Sequence, residues 1–481
     1  MALYFAAILG IGLKFARSGR SVRQYFLGEG KTPTWVLGLS VIAAKISSLT
    51  FLALPAAAYV LDWRMFTLNV SVLPVALLAV WWVVPFFRRS EYLTAFEYLH
   101  QRFGPGARLY GAAISLLTQA LRMGSVLYLV SLPVKMFTGM DTVPTMLCVG
   151  GFCTLYTVLG GIQAVVWSDV IQAIVLYLGG IAALTVMVCG IDGGLGEIFS
   201  VAMANDKFSM GPMEWDMGER TFWTVLITGA TGWIGQYTSD QVLIQRYLMA
   251  KDVRQARMAG WMSAVLCLPT WGFFFFLGTA LFVYYRVSPD AVAAGLPADE
   301  VFPYFILTRM PSGLVGLVLA GIISAAMGAL SASLNAFATV ATVDVVKPYV
   351  LRGRSDRFYA WTARALTGLG ALIMLGLGLF FAQATKESFF DLFTQILGMV
   401  GGVLPAFFLL GFFDKRVDRR ALWLAFAVVL ACNVYLVGLT LKIFPNPLGL
   451  HIHPYWISTL MTIAMLALGF LFARTSRGHR G

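Results

Sequence analysis

The chain reads as a succession of long apolar segments divided by short polar ones. Thirteen such segments run over 2–15, 33–61, 65–87, 109–138, 142–160, 164–190, 221–245, 261–285, 314–343, 362–384, 389–412, 421–444 and 454–473. Most are long enough to cross about 30 Å of hydrocarbon as a helix. Two are interrupted. The second carries Lys45-Ile46-Ser47-Ser48-Leu49-Thr50, and the seventh carries Gly229-Ala230-Thr231-Gly232-Trp233-Ile234-Gly235. Their starts lie five segments apart, as two inverted five-helix halves require. The pattern predicts an all-α, multi-pass chain of about thirteen spans. Its 5+5 inverted-repeat core covers 33–412, flanked by 1–32 and 413–481, in one domain over 1–481. The spans 33–61 and 221–245 are expected to unwind midway. The stretch Arg88–Arg108 is amphipathic and is expected to lie along the interface.

Composition sharpens this. Hydrophobic residues make up 59% of the chain and charged residues 12%, against about 25% charged in soluble domains. A soluble enzyme, a disordered tail and a secreted disulfide scaffold are excluded. The net charge of +12 would suggest nucleic acid in a soluble protein. Here it follows from where Lys and Arg fall: 25 of the 35 lie in alternate loops, eight in the opposite loops, and two, Lys45 and Arg122, inside spans. That asymmetry predicts an N-terminus outside and a C-terminus in the cytoplasm, across a plasma (inner) membrane. The five cysteines sit within apolar runs and read as small buried hydrophobes. No Walker loop, zinc motif or nucleophile elbow appears, so the sequence predicts neither an enzyme nor a cofactor.

Three ionisable residues are placed where charge is expensive. Lys45 lies about 18 Å from the cytoplasmic end of its span at 1.5 Å per residue, too deep to snorkel, and should face a cavity or a partner. Arg122 sits near the centre of 109–138. Its guanidinium fork suits a carboxylate; it can equally bond the backbone carbonyls of a broken helix. Asp169 opens the sixth segment, either as a helix cap or as a cation ligand or proton carrier.

Four motifs resemble the sodium/solute symporter family over nearly the whole chain. They are Tyr25-Phe26-Leu27 with Leu37-Gly38-Leu39-Ser40; Thr94-Ala95-Phe96-Glu97-Tyr98-Leu99 with Arg102-Phe103; Gly160-Gly161-Ile162-Gln163-Ala164-Val165-Val166-Trp167-Ser168-Asp169-Val170-Ile171-Gln172; and Asp240-Gln241-Val242-Leu243-Ile244-Gln245-Arg246-Tyr247-Leu248. With Arg122, the chain is most similar to the sialic-acid and carboxylate-carrying branch. The resemblance implies a LeuT-like core that moves a small solute with sodium by alternating access. It places Arg122 on the substrate carboxylate. On the chain's own residues, Ser47, Thr50 and Asn69 are candidate hydrogen-bond partners of the substrate, with Lys45 and Gln395 as further candidates.

For the coupling ion, the family pattern maps carbonyls to Ala43, Ile46 and Ala325, and a supplementary ligand to Asp169. Counted back from Asn335, which with Asp344 anchors the later bundle helix, two hydroxyl positions fall on Gly328 and Ala329, which have none; Ser331 is nearby. Lys45 stands beside Ala43 and Ile46, and an ammonium donates three hydrogen bonds to carbonyls as a fixed cation. Two expectations stay open. In one, a sodium symporter moves a small organic anion, a carboxylate. In the other, Lys45 replaces the main sodium ion, pairs with Asp169, and makes transport sodium-independent. A sensor that kept the fold without transport is a third reading.

Overall fold

The computed structural model describes residues 2–16, 21–28, 30–384, 402–440, 443–446, 449 and 452–475. Among them the chain is helical throughout its ordered elements. It opens with α1 (Ala2–Phe15), α2 (Val22–Leu27), α3 (Thr34–Ala43) and α4 (Ser48–Val60). A 3₁₀ turn leads into α5 (Thr67–Val70), α6 (Val72–Trp81) and α7 (Val83–Arg89), then α8 (Ala95–Phe103), α9 (Pro105–Thr138), α10 (Thr142–Cys189) and α11 (Gly194–Ala204). The second half holds α12 (Phe222–Ser239), α13 (Gln241–Met249), α14 (Val253–Val287), α15 (Ala291–Gly295), α16 (Ala298–Arg309) and α17 (Ser312–Val340), which runs into a π-helical turn (Ala341–Val350). The chain closes with α18 (Asp356–Ala384), α19 (Leu404–Phe413), α20 (Arg419–Thr440) and α21 (Tyr455–Thr475).

Eight described helices are long and apolar enough to cross a membrane; Leu3–Phe15, Thr34–Ala43, Thr50–Val60, Gly194–Ala204 and Leu404–Phe413 are shorter apolar helices. The segment 389–412 lies partly outside the described residues. The two spans 142–160 and 164–190 form one helix bent at Gly161, whose φ of 57° and ψ of −152° no side chain adopts comfortably. The Tyr25 carbonyl would stand 2.7 Å from a Cβ at that glycine. Helix α8 is the amphipathic element the sequence predicts. Ala95, Phe96, Tyr98, Leu99 and Phe103 are buried, and Glu97 closes a capping box with Thr94.

The bundle is centred on α17. Every residue from Val318 to Val340 is buried, because its run of Gly, Ala and Ser lets neighbouring backbones come close. Gly321 meets the Val175 carbonyl of α10, and Gly179 of α10 meets Val318. Such small-residue contacts replace the hydrophobic driving force that lipid cannot supply.

Both predicted interruptions exist, at different kinds of place. The first helix unwinds between Ala43 and Ser48. Ser47 takes an extended conformation and restarts the helix, its amide N–H donating to Thr50 Oγ1 at 3.3 Å. The second break falls at Asp240, where ψ is 113°, not in the glycine run. Gly229 to Gly235 stays helical within α12. Its missing side chains admit neighbours instead: a Cβ on Gly229 would lie 2.7 Å from the Leu68 carbonyl, and one on Gly235 would lie 3.0 Å from Pro405. Asp240 stops the helix because its carboxylate competes for backbone N–H groups, accepting from Val242 at 2.9 Å.

Candidate substrate and ion sites

Arg122 of α9 spans the two breaks. Its Nη2 donates to the Ala44 carbonyl at 2.6 Å, and its Nη1 lies 3.8 Å from Asp240 Oδ2. Gln119, one turn earlier, donates to Asp240 Oδ1 at 3.3 Å. The carbonyl freed by unwinding the first helix and the carboxylate that ends the second are therefore held by one side chain. Of the two roles open for Arg122, bonding to a broken helix is the one present in this structure.

Lys45 points at α12. Its Nζ lies 3.4 Å from Tyr237 Oη and 4.9 and 4.8 Å from the ring centroids of Trp233 and Tyr237. Two aromatic faces partly replace the hydration of the ammonium, each contributing about 0.5–2 kcal/mol. Among the described residues no carboxylate forms an ion pair with it. The expected pairing of Lys45 with Asp169 is not present. Asp169 Oδ2 instead faces Arg246 Nη2 at 3.1 Å, both side chains fully buried, and also accepts from Ser40. The direction of Lys45 is set by the break, since an unwound residue no longer follows the helical face of its neighbours.

Ser47, Thr50 and Asn69 are buried. Ser47 and Thr50 are the cap of α4. Asn69 sits on α5 next to Leu68, whose carbonyl receives the Trp233 indole N–H at 3.0 Å. Gln395 lies outside the described residues. A cavity of about 310 Å³ is lined by Thr118, Gln119, Thr231, Trp233, Ser239 and Asp240 among others. Thr231 and Ser239 spend their protons on backbone carbonyls of their own helix, and the buried Gln119 Oε1 has no partner. Much of the rest of the wall is apolar, built of Leu68, Ile114, Leu404, Pro405 and Pro454. Trp233 belongs to both places, lining the cavity and carrying the Lys45 ammonium.

The ion candidates separate. A side chain at Gly328 would meet Gln172 Oε1 at 3.1 Å, the Ala43 carbonyl at 3.6 Å and Asp169 Oδ1 at 3.7 Å. Asp169 Oδ1 and Gln172 Oε1 are buried without a hydrogen-bond partner. Three oxygens thus converge on the space that Gly328 leaves open, a donor set suited to a hard cation. Ser331 turns its hydroxyl back to the Gly328 carbonyl at 3.2 Å. Ile46, Ala325 and Ala329 are buried. Sequence reasoning did not single out Gln172, Trp233, Tyr237 or Asp240, which the structure brings next to the candidate residues. Gln172 was readable as the i+3 neighbour of Asp169 on one helix face.

Two discontinuous helices in an inverted-repeat bundle, with polar groups at both breaks and an oxygen cluster beside one of them, define a secondary transporter. The chain belongs to the sodium:solute symporter family, whose model matches residues 25–427, and it is a sodium-coupled carrier of that class. It is 29% identical over 473 residues to the sodium/sialic acid symporter NanT of Aliivibrio fischeri, covering 98% of this chain and 91% of the relative. It is 32% identical over 420 residues to the sodium/sialic acid symporter SiaT of Proteus mirabilis, covering 86% and 84%. The solved structure of a substrate-bound, outward-open Na⁺-coupled sialic acid symporter superposes with a TM-score of 0.90 at 27% identity, covering 98% of this chain and 96% of that one.

Proposed function

We propose that this protein carries a small hydroxylated organic carboxylate together with sodium, with no enzymatic step, across a plasma (inner) membrane, its N-terminus outside and its C-terminus in the cytoplasm. The observation that carries the reading is Lys45: an ammonium at the first helix break, held by two aromatic rings, while Arg122 is already engaged by Ala44 and Asp240. A charge in the membrane interior without its own carboxylate suits an arriving anion. Lys45 is thus the primary anchor of the carboxylate. Arg122 holds the two breaks in register and meets the anion only if its long contact to Asp240 opens. The cavity beside Trp233 combines hydroxyl and amide side chains with apolar ones, and the two sialic acid symporters among the relatives point to the same class.

In this reading sodium binds the oxygens of Ala43, Asp169 and Gln172 beside Gly328, supported by their convergence on that space. These oxygens take over from the hydroxyls absent at Gly328 and Ala329, and Lys45 does not occupy that space. The test is uptake in proteoliposomes under an inward sodium gradient, with sialic acid, short monocarboxylates and a neutral sugar offered in parallel. Uptake of a carboxylate that stops when choline replaces sodium is expected. Equal uptake in choline, or indifference to the carboxylate, overturns the reading.

A further inference from the structure

At one membrane face, the end of α1, the bend of α10 and the start of α18 enclose a cavity of about 660 Å³. Its polar wall is one face of α18: Arg357, Trp361 and Arg364, spaced four and three residues apart. Its apolar wall is Ala16, Val158 and Leu159. Among the described residues no carboxylate lines it. We propose that this cavity seats the headgroup of an anionic phospholipid, with the phosphodiester between Arg357 and Arg364 and the acyl chains along α1 and the first half of α10.

Three features separate this from an ordinary solvated basic surface. The Arg364 guanidinium is held in place, 5.1 Å from the Tyr25 ring centroid and 5.5 Å from that of Trp361. The Tyr25 ring is itself fixed, because its hydroxyl reaches the Thr157 and Val158 carbonyls at the bend of α10, both at 3.3 Å. Trp361 is 63% exposed, which in a multi-pass chain is the position of a ring at the lipid–water boundary. Arg357 stands in the first turn of α18, where the free amide groups of the helix start add positive potential. Asp356, the acidic residue of the same turn, does not line the cavity. Two guanidiniums match the oxygens of a phosphate in shape as well as charge. A free phosphate ion would have no use for Ala16, Val158 and Leu159; a lipid needs them.

Each arginine near an anionic lipid surface contributes on the order of 1 kcal/mol. Two therefore predict about a thirtyfold preference for an anionic over a zwitterionic headgroup, at 1.4 kcal/mol per factor of ten. The test uses the full chain in nanodiscs of phosphatidylcholine with and without phosphatidylglycerol. The lipid retained is read by native mass spectrometry, alongside the thermal midpoint. Phosphatidylglycerol should be retained and raise the midpoint. Arg357→Gln should lose part of the preference and Arg357→Gln/Arg364→Gln nearly all of it, while Arg352→Gln, outside the cavity, keeps it. Arg357 is exposed, so its variant remains informative if loss of Arg364 disturbs folding. Wild-type preference in Arg357→Gln overturns the proposal. So does glycerol 3-phosphate, which lacks acyl chains, stabilising the protein in phosphatidylcholine as well as the lipid does.

Discussion

Arg122 and Asp240 face each other at 3.8 Å, and through that contact and the 2.6 Å bond to the Ala44 carbonyl the two broken helices share one guanidinium. Each break leaves one acceptor that its own helix does not fully satisfy. Unwinding the first exposes a carbonyl; stopping the second leaves a carboxylate at membrane depth. An arginine satisfies both because it presents donors in two directions from one rigid plane.

This arrangement predicts an asymmetric double-mutant cycle. Arg122→Ala should cost about 1.5–3 kcal/mol, the usual worth of a hydrogen bond to a charged group, and Asp240 would be left without its counter-charge. Adding Asp240→Asn should recover part of that loss. Thermal unfolding of the two single variants and the double measures it. Strict additivity would show that the contact carries no coupling.

Lys45 separates substrate charge from architecture. Lys45→Met keeps the length of the side chain and removes the ammonium from its place over Trp233 and Tyr237. Removing one partner of a desolvated charge pair costs about 2–5 kcal/mol in binding, so carboxylate affinity should fall at least about tenfold. The thermal midpoint should move far less than in Arg122→Ala. If Lys45→Met binds the transported carboxylate as wild type does, the anion is held elsewhere.

How much of this was readable from the sequence depends on what fixes each feature. The eight long apolar helices were readable because apolar length is a property of composition. The first break was readable because Lys45 to Thr50 brings polar groups into a span. The second was misplaced because glycine alone does not stop a helix that packs. Gly229 and Gly235 serve close approach, while Asp240, a side chain that competes for backbone N–H groups, ends the helix. The direction of Lys45 could not be read, since it depends on where α12 lies across an unwound loop. The surroundings of Gly328 were hidden for a related reason: a missing hydroxyl shows in the sequence, but the Asp169 and Gln172 oxygens that face the gap come from another helix.

Outside the spans, Lys207 ties the loop after α11 to the end of α4. Its Nζ donates to the carbonyls of Ala58, Tyr59 and Leu61 at 3.2, 2.7 and 2.6 Å and lies 4.0 Å from the Phe282 ring centroid. Burial pushes this lysine down to about 8, against the pull of Asp62. The folded value therefore lies below that of the unfolded chain, and between about 8 and the ordinary 10.5 the unfolded chain binds more protons. Stability should rise with pH across that window. Lys207→Met should flatten the rise. Thermal midpoints from pH 7 to 10.5, wild type against variant, decide it; parallel curves would assign the titration to another group.

The sodium assignment can be tested at Gly328, a position that touches no solute candidate. In Gly328→Ala the new methyl would stand 3.1 Å from Gln172 Oε1 and 3.7 Å from Asp169 Oδ1, filling the space on which the oxygens converge. Gln172→Leu removes one of those oxygens and leaves the Asp169–Arg246 pair intact. An ion–dipole contact of the charged hydrogen-bond kind contributes about 1.5–3 kcal/mol. Each variant should therefore raise the sodium concentration for half-maximal uptake about tenfold or more. Solute binding at saturating sodium should change little, which separates an ion ligand from a general defect. Asp169→Asn is the harsher test, because it also strips Arg246 of its partner, and breaking such a buried pair costs about 3–5 kcal/mol; it should lower the thermal midpoint as well as sodium affinity. If Gly328→Ala and Gln172→Leu both keep the wild-type sodium dependence, the coupling ion sits elsewhere and the two unpartnered oxygens serve another purpose.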